Sequence, residues 1–218
     1  MWTQRSPEDM TFTERGRRAQ ILDAALETIV DLGWANTSFM RIAERIGVTK
    51  GAVLHYFPDK NALVGALVLD VHGRLAAAVD TALAAQDSAI GRIRAFILAN
   101  TEFIAEHPRD IAAIIELSAA YRGPDGRRLA EIITAAEPLP RELRTLDLAA
   151  LLARDRQQLR VRDVDFGILT LIIRGAIDAA AERRAHDPEF DPRPVGHELA
   201  EMVEIRLGSA ATTSRADG

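Results

Sequence analysis

The chain has only two lysines, Lys50 and Lys60, and both fall where a lysine is ordinarily disfavoured. Each lies in the first turn of a predicted helix, the end at which the backbone dipole is positive. A solvated surface has no use for a cation there. A phosphate does, because unpaired helix N–H groups beside an ammonium form an anion site. Hydroxyls gather at helix starts too: Thr37 and Ser38 precede one short helix, and Thr49 precedes the next. The chemistry these residues suit is phosphate recognition. Catalysis finds no matching set. The histidines at 55, 72, 107, 186 and 197 make no HExxH or other metal spacing, and there is no Walker loop or GxSxG. With no cysteine, disulfides, thiolate metal sites and thiol redox sensing are excluded. No enzymatic activity, metal or cofactor is expected.

The elements that position these groups are legible from the spacing. Residues 38–46 place Phe39, Ile42, Ala43 and Ile46 on one helical face. Thr37 is the expected cap of that helix, and Gly47 ends it, since glycine takes the left-handed conformation freely. Thr49 caps a second helix over 50–57, which Pro58-Asp59 stops. Val48 and Val53 are spaced to clamp its start as a hydrophobic staple. Helix, glycine turn and helix make a helix-turn-helix, whose second member enters the DNA major groove. Ahead of it, Thr11 and Glu14 fit a capping box opening a helix that runs to Leu32, with Ile21, Leu22, Ala25, Leu26, Ile29 and Val30 inward. Its Arg15, Arg17 and Arg18 either touch backbone phosphate or are simply solvated. Trp34 reads as a core plug between this helix and the motif.

The stretch ILDAALETIVDLGWANTSFMRIAERIGVTKGAVLHYFPDKNALVGALV resembles the DNA-binding region of the tetracycline-repressor-like (TetR) family, over about residues 17–68. The specific part is the ordered set Leu32-Gly33, Thr37, Ile42-Ala43, Gly47-Val48, Lys50-Gly51, His55-Tyr56-Phe57 and Lys60. The resemblance implies an all-α protein: an N-terminal three-helix helix-turn-helix domain joined to a larger helical ligand-binding and dimerisation domain. It places Thr37 and Ser38 against phosphate through hydroxyl and backbone N–H, and His55 and Tyr56 as paired aromatics pressing on the DNA backbone. Arg41, one turn into the first motif helix on its polar face, is the candidate base or phosphate contact there. Thr49, Lys50 and Gly51 open the recognition helix, where glycine lets the backbone approach DNA closely. Leu54 stands where many members have tyrosine, which leaves an apolar brush with a thymine methyl. Lys60 clamps a phosphate from the start of the fourth helix. The recognition helix is poor in arginine, asparagine and glutamine, so DNA shape shares the readout.

The boundaries expected are a mobile polar arm at 1–12, in which Arg5 could reach a minor groove, the DNA-binding domain at 13–60, the larger domain at 61–208 and a polar tail at 209–218. Helix four should span 60–85, with Leu63, Leu67, Val71, Leu75, Val79 and Leu83 at near four-residue steps. Ser88 caps helix five at 88–107, whose inward stripe includes Phe96, Asn100, Phe103 and His107. Asn100 needs a partner there, either a ligand or a group of the fold. Helix six covers 109–121 with Ser118 and Tyr121, and RGPDG at 122–126 is a turn. Short helices follow at 127–136 and 146–158, then an extended link at 159–161. A long helix starts at Asp163 or Asp165 and runs to His186. Its FGILTLIIRGAIDAAA is apolar nearly all round and must be buried on more than one side. Arg174 and Asp178, four apart, are expected to pair, with one of them facing a cavity as the alternative. A last helix covers 195–207. Phe96, Asn100, Phe103, His107, Ser118, Tyr121 and Arg174 are the candidate ligand contacts, and the resemblance makes the two last long helices a dimer interface.

Net charge is −5, all of it beyond residue 60, since residues 1–60 balance. DNA contact therefore needs a local basic face, with the acidic body turned away. The N-terminus is unlike a signal peptide, and no apolar run approaches a membrane span. A cytoplasmic protein without membrane contact is expected. The leading reading is a homodimeric, sequence-specific regulator, a repressor released from a near-palindromic double-stranded operator by an unidentified small-molecule effector. The alternative is a ligand-independent architectural DNA binder, with weak sequence preference and steep salt dependence.

Overall fold

The computed structural model describes residues 10–134, 141–159 and 164–216. Arg5 with most of the polar arm, Pro138 and Pro140, and residues 160–163 with Asp163 lie outside the described residues. Among the described residues the protein is all-α, the only extended pairing being an isolated bridge between Arg122 and Arg128. In chain order the helices are α1 (Phe12–Leu32), α2 (Phe39–Arg45), α3 (Lys50–Tyr56), α4 (Lys60–Ala84), α5 (Ala89–Glu106), α6 (Pro108–Ala120), α7 (Leu129–Thr134), α8 (Leu148–Leu159), α9 (Phe166–His186) and α10 (Arg193–Ala216). Single 3₁₀ segments occupy Trp34–Asn36 and Arg141–Leu146.

Local chemistry accounts for most boundaries. Thr11 and Glu14 form a full capping box: the Thr11 hydroxyl accepts the Glu14 N–H at 3.3 Å, and the Glu14 carboxylate accepts the Thr11 N–H at 2.7 Å. Ser88 accepts the Gly91 N–H, and Asp165 accepts those of Gly167 and Ile168. Gly47 closes α2 at φ 66°. Two ends differ from the sequence reading. The cap of α2 is Ser38, whose hydroxyl accepts the Arg41 N–H at 3.3 Å. α10 continues to Ala216 in place of a non-helical tail, because nothing after Gly208 in that stretch breaks a helix.

The chain divides into two compact units. One comprises the residues up to Val71 together with 109–138. Its core is built from Ile21, Leu22, Leu26 and Ile29 of α1, Ile42 of α2, Val53 and Phe57 around α3, and Leu63 and Leu67 of α4, with Leu117 and Tyr121 from the α6 segment. The sequence reading groups α6 with the second half of the chain; it instead completes this core.

The other unit holds 72–108 and 139–218. Here α5 packs against α8, α9 and α10. At Gly196 the start of α10 lies so close to Thr101 that a Cβ would overlap the threonine side chain. Arg92 Nε donates to Asp155 at 2.7 Å, and Arg92 Nη2 donates to Gln158. Burial alone would raise the Asp155 carboxyl, but hydrogen bonds from Arg92 and Arg154, with their charges, hold it below the usual carboxylate range. The expected Arg174–Asp178 pair does not form. Asp178 is exposed, Arg174 is half-buried, and neither side chain has an ionic partner among the described residues. α9 buries only Leu169, Ile173, Ile177 and Ala180, while Leu171 remains 72% exposed.

α4 departs from the expectation that no apolar run approaches a membrane span. At 25 residues it is long and apolar enough to cross a membrane by length and composition, yet half of its most apolar stretch is buried inside the protein. A core helix with neighbours on several sides reads this way.

The Arg92–Asp155 pair gives a stability test. Because the folded-state pKa of Asp155 is depressed, its contribution is complete above about pH 4 and is lost as pH falls through the folded value. Asp155→Ala should destabilise the protein by about 1–3 kcal/mol at pH 7, leaving the half-buried Arg92 without its ionic partner. Urea unfolding of both proteins at pH 7 and pH 3 should show the difference narrowing at the lower pH.

Candidate nucleic-acid interface

The recognition helix α3 has seven residues, and its two ends and one face are fixed by the fold. Thr49 accepts the Ala52 N–H at 3.2 Å, and the Phe57 N–H closes onto Val53 O at 2.9 Å. Val53 and Phe57 are fully buried. Helical periodicity then turns positions 50, 51, 54 and 55 the other way, and Lys50, Gly51, Leu54 and His55 are all exposed. Tyr56 is half-buried, its ring meeting that of His55 edge-on at 5.2 Å. Lys50 has no acidic partner among the described residues. Gly51 has open space, since a Cβ there would meet nothing nearer than Thr49 Oγ1 at 3.7 Å. The fold itself makes no demand for glycine at this position.

α2 lies beside α3, with Phe39, Ile42 and Ala43 buried. Arg41 is exposed, and its Nη1 donates to Asn36 O at 2.9 Å, which holds the guanidinium near the start of α2. Arg45, one turn on, is occupied by Glu27 and Asp31 of α1 at 3.2 and 2.6 Å. Ser38 is half-buried at the helix start. Thr37 corrects the sequence reading: it is 1% exposed, and its hydroxyl donates inward to Gly33 O at 2.9 Å. A buried hydroxyl of this kind fastens the turn and presents no side chain to a phosphate.

The arginine knob of α1 resolves into separate roles. Arg15 donates to Met10 O, and Arg17 donates to Gln20. Arg18 instead lies over the Phe57 ring at 5.4 Å, and burial lowers its pKa against the charge of Asp70. It supports the end of α3.

Lys60 opens α4, where Asp59 accepts the Ala62 N–H at 2.7 Å. Its ammonium stands 4.7 Å from the Trp34 ring centroid, and burial lowers its pKa. Trp34 is half-buried and meets Tyr121 edge-on at 5.7 Å. The Tyr121 hydroxyl donates to Asn61 Oδ1 at 2.9 Å, and the Trp34 N–H donates to Glu116 at 2.8 Å. Tyr121, a candidate ligand contact from sequence, is thus part of the first unit. Glu116 and Asn61 carried no local signal that could have found them.

The other ligand candidates scatter. Phe103 and His107 line a cavity of about 580 Å³ within the second unit, among α4, α5 and the start of α10. Their ring centroids lie 4.3 Å apart with the planes tilted by 40°. Phe96 and Asn100 are buried on α5, where Asn100 donates to Phe96 O at 2.8 Å, so the fold supplies a partner. Ser118 is exposed and donates to Ile114 O. Neither it nor Arg174 lines the cavity.

The geometry agrees with comparison to known proteins. The family model for bacterial regulatory proteins of the tetR family matches residues 21–67, which run from α1 into α4. Similar curated proteins include the HTH-type transcriptional regulator BetI of Cronobacter sakazakii, 36% identical over 106 residues, covering 48% of this chain and 52% of that protein. BetI of Escherichia coli K12 is 41% identical over 86 residues, covering 38% and 44%. The chain therefore spans about half the length of the curated relatives it matches. Among solved structures, the fatty acid degradation regulator FadR from Bacillus halodurans superposes with a TM-score of 0.69 at 17% identity, over 94% of this chain and 97% of that one. FadR from Bacillus subtilis, solved with stearoyl-CoA, gives 0.67 at 19% identity over 85% and 96%. At these identities the superpositions show a shared fold. A capped and anchored recognition helix thus lies inside the segment, residues 21–67, that is similar to bacterial regulatory proteins of the tetR family.

Proposed function

We propose that this protein is a homodimeric, sequence-specific regulator of transcription in the cytoplasm, a repressor that a small molecule releases from a near-palindromic operator. The observation that carries the reading is the outer face of α3. Lys50 stands in the first turn without an acidic partner among the described residues, and beside it Gly51 is a glycine that the protein's own packing does not require. Both are accounted for by a phosphate backbone lying against the helix start. Ser38, Arg41, Thr49, His55, Tyr56 and Lys60 flank that face, and Leu54 meets the groove floor.

Dimerisation is supported by α9 and α10. Ile168, Leu171, Ile172, Met202 and Ile205 are 53–72% exposed, a set of large side chains that a soluble monomer rarely leaves uncovered. A dimer presents two α3 helices, which read successive major grooves when they stand roughly 34 Å apart. The effector reading is supported by the cavity, with Ala78, Ala82, Leu98 and Phe103 as apolar lining and Arg74, His107 and His197 as polar lining. An amphipathic molecule suits such walls, and stearoyl-CoA in the B. subtilis structure is of that kind. It need only favour the DNA-incompetent state, with a coupling of about 1–3 kcal/mol.

Fluorescence anisotropy titrations against DNA flanking the protein's own gene test the DNA reading. Lys50→Ala should weaken binding and reduce the salt slope by about one contact; equal binding to every DNA segment would contradict sequence-specific regulation. Gly51→Ala should raise thermal stability by about 0.5–1 kcal/mol yet weaken operator binding. In light scattering, Leu171→Glu with Ile205→Glu should convert a dimer of the full chain into a folded monomer.

A further inference from the structure

Trp34 is held from three sides within the DNA-binding unit. Its backbone N–H, the first of the 3₁₀ turn, donates to Glu116 of α6 at 2.8 Å. Tyr121, at the end of α6, packs edge-on against its ring at 5.7 Å and donates through its hydroxyl to Asn61, the second residue of α4. The Lys60 ammonium lies 4.7 Å from the same ring. The turn is fastened from within as well: the Thr37 N–H donates to Trp34 O, and the Thr37 hydroxyl donates to Gly33 O. Gly33 is constrained twice, by its φ of 75° and because a Cβ would lie 3.3 Å from the Glu116 carboxylate. This turn leads directly into Ser38, the cap of α2.

We propose that Glu116 and Tyr121 are positioning residues for DNA binding, acting through Trp34 to hold the Lys60 ammonium in place and to fix the turn that launches α2. The proposal rests on the regulator reading above and extends it to a segment some sixty to eighty residues away in sequence from the residues it positions. An exposed lysine has four rotatable side-chain bonds. Seating its stem across an indole removes much of that freedom before DNA arrives, so the phosphate contact forms with less loss of entropy. Glu116 acts on the backbone: a carboxylate accepting an otherwise orphaned N–H keeps the 3₁₀ turn from relaxing. Neither residue is required to touch DNA.

The test is operator binding by Glu116→Ala, Glu116→Gln, Tyr121→Phe and Tyr121→Ala, each in wild-type and Lys60→Ala backgrounds, with Trp34 amide exchange measured in the DNA-free protein. Glu116→Ala should weaken binding about fivefold and speed Trp34 exchange. Glu116→Gln, which retains an acceptor, should restore most of both. Tyr121→Ala should weaken binding about threefold to fivefold, and at least half of that effect should vanish in the Lys60→Ala background. Tyr121→Phe, which keeps the ring, should fall between wild type and Tyr121→Ala. Full additivity of Tyr121→Ala with Lys60→Ala, or a Glu116→Gln protein as impaired as Glu116→Ala, would overturn the proposal. A wild-type protein that binds no DNA fails the regulator reading, whereas unchanged Trp34 exchange in Glu116→Ala overturns the clamp itself.

Discussion

A seven-residue helix does not hold itself together in water, because nucleation costs more than so few hydrogen bonds return. α3 is such a helix, and its existence depends on what is done for it from outside. Thr49 satisfies a free N–H at its start. Val53 and Phe57 sink completely into the core, and Arg18 lies across Phe57. That anchoring also decides function. With 53 and 57 committed inward, the helical period leaves 50, 51, 54 and 55 no direction but outward. Stability and the outward face proposed to meet DNA are two results of one packing choice.

The same logic extends through the unit. α2 fixes α3, the turn at 33–37 fixes α2, and Glu116 and Tyr121 fix the turn. Acidic residues inside it keep the surface selective: Glu27 and Asp31 occupy Arg45, while Lys50 and Arg41 stay turned toward solvent near α3. In a unit without net positive charge, this arrangement makes a local basic face. The second unit is arranged the opposite way. Its core is closed around α5, while α9 and α10 keep large apolar side chains on their outer surface, which the second copy in the proposed dimer would cover.

What was legible in the sequence was local. Capping at Thr11, Thr49, Ser88 and Asp165, the left-handed glycine at 47 and the inward faces of α1 to α3 follow from side chains within four residues of the backbone they serve, except that Val30, expected inward, is 43% exposed. The misplacements are all non-local. Thr37 and Ser38 are equivalent as caps until packing buries one of them. Tyr121 and Phe103 look alike as aromatic candidates on helical stripes, and only the fold sends one to Trp34 and the other to the cavity. Arg174 and Asp178 have favourable spacing, but with Asp178 exposed and Arg174 half-buried the pairing gains too little to fix both side chains. Glu116 gave no sign at all, because its partner is a backbone N–H 82 residues away.

The proposed dimer would bring two anchored α3 helices to one duplex about a two-fold axis and leave a distinct mark on it, and hydroxyl-radical footprinting of the protein on its bound DNA segment looks for that mark most directly. The expected result is two protected patches of similar strength on one face of the duplex, related by near-palindromic sequence. Their centres should lie one helical turn of about 10 base pairs apart, or a multiple of it. A single patch, or even protection along the whole fragment, would contradict the two-fold arrangement.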